Sequence, residues 1–107
     1  MQTVVQIACT KGSSLRDAIA NDAKLADRGF KVLEQKKQGR APGWTKIRSN
    51  EGHTGTINVE WNAVTHFLTC RIINKGTGSP DEVIGAFIGY ILERHKRRLK
   101  LITIWID

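Results

Sequence analysis

The chain has 107 residues and a net charge of +7, with 40% apolar and 25% charged residues, ten glycines and two prolines. That is ordinary globular composition, which excludes a disordered or fibrous chain, and the length suits one domain burying roughly 65% of its unfolded surface without staples. No apolar run approaches the ~20 residues that cross a bilayer, and residues 1–5 carry neither a basic n-region nor an apolar export core. The expectation is a cytoplasmic protein.

In chain order, residues 3–9 read as a strand with Val5, Ile7 and Cys9 on one face. Ser13 and Ser14 then offer an N-cap, and Asp17 follows Ser14 by three residues, as a capping-box partner would. Leu15, Ala18, Ile19, Ala23 and Ala26 recur at helical spacing up to Gly29, a natural C′ residue, which predicts one helix over 14–28. Phe30–Lys36 resumes as a strand, residues 38–43 form a Gly/Pro loop, Trp44–Ser49 is a short strand and residues 50–55 a Gly-bearing loop.

A hairpin follows. Ile57, Val59 and Trp61 share one face of its first strand; His66, Leu68, Cys70 and Ile72 share one face of the second. Pairing Trp61 with His66, or with Val64 across a tighter turn, puts both apolar sets on one side. Glu60, Phe67, Asn58, Thr69, Thr56 and Arg71 then occupy the other. Ser79, Pro80, Asp81 and Glu82 supply a cap, an N1 proline and two acids at the positive end of a helix dipole. The helix runs to about Arg98, with Ile84, Phe87, Ile88, Ile91 and Leu92 as its buried stripe and Gly85 and Gly89 placed for close backbone approach. Leu99–Ile106 is apolar at almost every position, the pattern of a strand covered on both faces. The order β-α-β-β-β-β-α-β predicts a single α+β domain over residues 1–107: a two-layer sandwich with two helices on one face of a mainly antiparallel sheet.

The positive charge is clustered. Residues 31–48 hold Lys31, Lys36, Lys37, Arg40, Lys46 and Arg48 against Glu34, and residues 94–100 hold five bases and no acid. Such a balance favours contact with nucleic acid, acidic proteins or another anionic surface. Trp44, Lys46 and Arg48 share a strand face beside Lys36, Lys37 and Arg40, an aromatic interleaved with cations as single-stranded nucleic acid requires. Cations at 94–98 also complement a helix C-terminus without any ligand. Acids rather than lysines open the last helix, which argues against a double-stranded-RNA-binding domain.

Cys9 and Cys70 stand alone in apolar stretches, without the spacing of a disulfide framework or zinc site, and read as buried thiols. No nucleophile signature, phosphate loop or carboxylate cluster is present, so neither cofactor nor metal is implied. Glu60, His66 and Arg71 on one hairpin invite comparison with a small ribonuclease toxin. Their alternation places His66 on the apolar face, away from the other two.

Residues 79–95, Ser-Pro-Asp-Glu-Val-Ile-Gly-Ala-Phe-Ile-Gly-Tyr-Ile-Leu-Glu-Arg-His, followed by Leu-Ile-Thr-Ile at 101–104, resemble small orphan proteins encoded by mobile integron gene cassettes. The resemblance spans residues 79–104. It implies a compact, often oligomeric α+β domain, accessory to a bacterial mobile element, and assigns no site residues. The leading expectation is a non-enzymatic binding module that forms a homodimer through Leu99, Leu101 and Trp105, placed on one face of the terminal strand. Nucleic-acid binding through residues 36–48 is the alternative.

Overall fold

A computed structural model describes residues 2–36, 44–49, 55–73 and 81–106, for residues 2 and 34–36 the backbone alone. The elements are β1 (Gln2–Cys9), α1 (Leu15–Ala20), α2 (Lys24–Asp27), β2 (Phe30–Lys36), β3 (Trp44–Ser49), β4 (Thr56–Asn62), β5 (Phe67–Ile73), α3 (Asp81–His95), a 3₁₀ turn (Lys96–Arg98) and β6 (Leu99–Ile106). Six strands form one antiparallel sheet in the order β2-β3-β4-β5-β1-β6. All three helices lie on one face, as an α+β two-layer sandwich requires. Among the described residues, no helix is long and apolar enough to cross a membrane.

The core is where strand alternation and helical stripes meet. Val5, Ile7, Cys9, Ile47, Ile57, Val59, Trp61, Leu68, Cys70 and Ile72 face the helices, which contribute Leu15, Ile19, Leu25, Val83, Phe87, Tyr90 and Ile91. Phe30 of β2 meets Phe87 edge-on, ring centroids 5.8 Å apart, the favoured geometry for two aromatic quadrupoles. Both cysteines are free and buried; burial raises the Cys9 thiol, against the pull of Arg98, and pushes that of Cys70 far up, as suits packing groups.

Four local expectations need correction. The helix over 14–28 is two helices. Ser14 Oγ caps the first by accepting from Asp17 N at 3.2 Å, but the chain turns at Asn21 and Asp22, and Asp22 Oδ1 accepts from Lys24 N at 3.0 Å to start the second. Such side chains favour caps over helix interiors, and an Ala-rich stripe has too little to bury to hold one helix through them. Gly29, at φ 80°, makes the turn into β2.

In the hairpin, Trp61 pairs with Leu68, not His66 or Val64. Asn62 Oδ1 accepts from Val64 N and Thr65 N, and its carbonyl from His66 N, so the turn takes four residues. This register differs from both expected ones by an even number of residues, and every side chain keeps its predicted face. His66 ends the turn at φ 59°, where its ring still reaches Trp61 at 6.1 Å. A β-branched residue there is strained, so His66→Val should cost about 1–2 kcal/mol, and His66→Asn much less. Urea unfolding of the two variants checks this, and equal stability would contradict it.

In α3 the buried stripe is Val83, Phe87, Tyr90 and Ile91; Ile84 and Ile88 are half-buried and Leu92 is exposed. The close approach expected at the glycines is absent: a Cβ on Gly85 would meet nothing within 4 Å, and one on Gly89 would meet Arg28 Nη1 alone, at 3.8 Å. The cap residues Ser79 and Pro80 lie outside the described residues. Finally, β6 is not covered on both faces. It is an edge strand, and a bulge between Ala8 and Cys9 sets Leu99 opposite Cys9 and Leu101 opposite Ala8. Leu99 therefore packs toward the core, on the opposite face from Leu101 and Trp105.

Candidate functional site

Among the described residues, the sheet face away from the helices has no second layer. Because Thr45, Ile47 and Ser49 turn inward, Trp44, Lys46 and Arg48 turn outward together, as their alternation predicts. Cross-strand pairing puts Trp44 beside Glu60, Lys46 beside Asn58, and Arg48 between Thr56 and Lys31. Trp44, Lys46, Asn58 and Glu60 line a shallow hollow of about 270 Å³. Arg71 Nη1 donates to Glu60 Oε1 at 2.7 Å, which fixes that carboxylate at the edge of the hollow. Lys36 closes β2 with its backbone opposite Trp44. The side chain of Lys36, and Lys37 and Arg40 altogether, lie outside the described residues.

The ribonuclease arrangement is not assembled. Glu60 and Arg71 form their ion pair on the open face, whereas His66 packs against Trp61, whose indole is in the core layer. The second basic cluster is on the helix side. Arg94 donates to both carboxylate oxygens of Asp22, Nε to Oδ2 at 3.2 Å and Nη2 to Oδ1 at 3.4 Å. Arg98 donates from Nη2 to the Ser13 carbonyl at 2.8 Å and lies over the Trp61 ring. Its guanidinium rests on Gly12, where a Cβ would come within 3.2 Å of Nη2. Arg94 and Arg98 therefore lie on the opposite side of the sheet from Lys31, Lys46 and Arg48.

One cluster was invisible to sequence reasoning. Asp22, at the α1–α2 turn, accepts from Tyr90 Oη at 2.8 Å as well as from Arg94, and His95 Nε2 lies 3.0 Å from that hydroxyl. Since the hydroxyl hydrogen goes to Asp22, His95 Nε2–H donates to Tyr90 Oη. Burial pushes the Asp22 carboxyl up, but the Tyr90 and Arg94 hydrogen bonds, the Lys24 N–H and the Arg94 charge outweigh it and hold the group at about 2. Burial pushes the Tyr90 hydroxyl far up, reinforced by the Asp22 hydrogen bond and charge. Burial likewise pushes His95 below its ordinary range, against the pull of Asp22 and helped by Arg94 and Arg98. The cluster ties the α1–α2 turn to the last turn of α3, positions 68 to 73 residues apart in sequence.

The two sheet edges differ sharply. β2 is blunted by exposed Lys31 and by a register break between Val32 and Glu34, both ordinary defences against edge-to-edge pairing. β6 is eight residues long and carries one charge, Lys100. Apart from Lys100, its exposed side chains are apolar on both faces: Leu101 (63%) and Trp105 (60%) on the open side, Ile104 (44%) and Ile106 (80%) on the helix side. Trp105 continues the open face through Val4 to Arg71, and Leu101 through Ala8 to Phe67. Comparison with known protein families gives no match, and no curated protein is similar enough to this chain to count as a relative.

Proposed function

We propose that the chain is a non-enzymatic binding module that works as a homodimer, joined edge to edge through β6. The observation that carries this reading is the unprotected edge itself. One face of β6 hydrogen-bonds to β1, while its outer backbone groups have no strand partner among the described residues, and both side-chain faces are apolar beyond it. The opposite edge, β2, carries the usual defences, so the contrast lies within one sheet. A second copy is the occupant that suits β6 best, because an antiparallel strand pairs with itself about a two-fold axis. With the axis at Thr103, Leu101 faces Trp105 of the second copy and Ile102 faces Ile104. That register sets each of these four apolar side chains against another and keeps all helices on one side of a twelve-stranded sheet. Buried, unpaired thiols suit a reducing cytoplasm, and the resemblance of residues 79–104 to integron-cassette proteins supports an accessory role.

Sedimentation equilibrium should give twice the 12.0 kDa chain mass. Thr103→Cys gives a finer test. Opposed residues in an antiparallel pair have Cα atoms about 4.5–5.5 Å apart, within the ~4.4–6.8 Å range of disulfides. Mild oxidation should therefore link Thr103→Cys chains into covalent dimers faster than Thr69→Cys chains. A monomeric wild type at millimolar concentration removes the proposal.

A further inference from the structure

We propose that the open sheet face over β3 and β4 binds single-stranded nucleic acid, with one base stacked on Trp44 and guanine preferred to adenine at that position. The inference is independent of the dimer, since β3 is four strands from β6. It rests on three features.

The first is electrostatic. Lys31 and Arg48 sit directly opposite each other on the open face, and Lys46 follows Arg48 two residues along β3, roughly 6.6 Å away. Like charges directly opposed destabilise a pair of strands. Lys31 and Arg48 have no acidic partner among the described side chains, and the acid opposite Lys46, Glu34, has its side chain outside them. A line of phosphates relieves this repulsion, and a chain of net charge +7 attracts one.

The second feature is the half-buried indole of Trp44, which faces outward at the end of that line and walls the 270 Å³ hollow. A base can lie flat on an indole only when it is unpaired, and sheet faces that carry single strands hold successive bases on such aromatic platforms. Single strands are therefore the class that fits.

The third is the acceptor character of the far wall. Glu60 is the direct cross-strand neighbour of Trp44, its Oε1 held by Arg71. A purine stacked on Trp44 presents its Watson–Crick edge to this carboxylate. Guanine offers two adjacent N–H donors there, whereas adenine turns a ring-nitrogen acceptor toward the carboxylate, which repels it.

The test is fluorescence anisotropy with labelled single strands of alternating T and G or T and A, about 12 nucleotides long, and with their duplexes. Three phosphate contacts predict a roughly 20-fold loss of affinity between about 50 mM and about 200 mM salt, and Lys46→Ala should flatten the log–log slope by ~0.7. Trp44→Ala should weaken binding about ten-fold. The T/G strand should bind more tightly than the T/A strand, and Glu60→Gln should abolish that preference while retaining binding. A Lys46→Glu/Arg48→Glu double variant, altered at outward-facing positions alone, should lose binding while still folding and melting cooperatively. Absent binding, salt-independent binding, equal affinity for duplexes, or full affinity in the double variant would each overturn the site. Equal affinity for the T/G and T/A strands would overturn the role of Glu60.

Discussion

Asp22→Ala should lower the stability of the protein by about 2–4 kcal/mol, because it strips three donors of one acceptor. The Tyr90 hydroxyl, whose side chain is fully buried, is left without its carboxylate, a loss of about 1–3 kcal/mol. The Lys24 N–H loses its cap at the start of α2, which adds about 1 kcal/mol. Arg94 contributes little, since its half-exposed guanidinium returns to water. Asp22→Asn keeps an amide oxygen for one donor and should cost roughly half as much.

The same cluster sets the dependence on pH. A carboxyl held at about 2 contributes its full stabilisation above the ordinary carboxylate range, ~4, and loses it as pH falls toward 2. His95 acts in the same direction. The buried ring resists protonation, so the unfolded chain takes up that proton first as pH drops through ~6.5. Tyr90 closes the alkaline side: its hydroxyl stays protonated in the fold while the unfolded phenol ionises above pH ~10. Urea unfolding across this range should show a plateau near neutrality, a decline starting below ~6.5 and a steeper one below ~4. In Asp22→Ala the limb below ~4 should flatten. An Asp22→Ala variant within about 0.5 kcal/mol of wild type would show that the cluster is incidental.

The second large effect concerns β6. Trp105→Glu should convert the proposed dimer to monomer, raising the dissociation constant roughly a thousand-fold. The two-fold axis doubles the cost, because each copy loses its own indole and gains the partner's carboxylate opposite Leu101. The fold should survive, since Trp105 lies on the open face of an edge strand with 60% of its surface in water. Ile104→Lys, on the opposite side of the same strand, should act alike. Val64→Glu, at the exposed β4–β5 turn far from the edge, should leave the mass unchanged. Sedimentation of the three variants distinguishes a β6 interface from nonspecific association. A Trp105→Glu protein that still sediments as a dimer would place the interface elsewhere.

What could be read from residues alone was whatever depends on local chemistry. Alternation at Ile57–Val59–Trp61 and Leu68–Cys70–Ile72 assigned faces correctly even though the turn between them was misjudged, because a register error of two residues leaves the pleat in phase. The outward face of Trp44, Lys46 and Arg48 was legible for the same reason. The Ser14 cap and the Gly29 turn are likewise contacts within a few residues. The split of the first helix was also written locally, in Asn21 and Asp22, but an apolar stripe running through them masked it.

Tertiary structure decided everything that requires distant positions to meet. Only the strand order puts Leu99–Ile106 at an edge; the same apolar run in the middle of a sheet would be covered on both faces. The bulge opposite Ala8 and Cys9, set by how β1 meets β6, moved Leu99 to the other face from Leu101. The pairing of β2 with β3 and of β3 with β4 brought Lys31 against Arg48 and Trp44 against Glu60. Asp22 became an acceptor for Tyr90 and Arg94 because α3 returns over the α1–α2 turn. A periodicity within one element carries no information about such pairings, since the energy that selects them is the burial of all elements together.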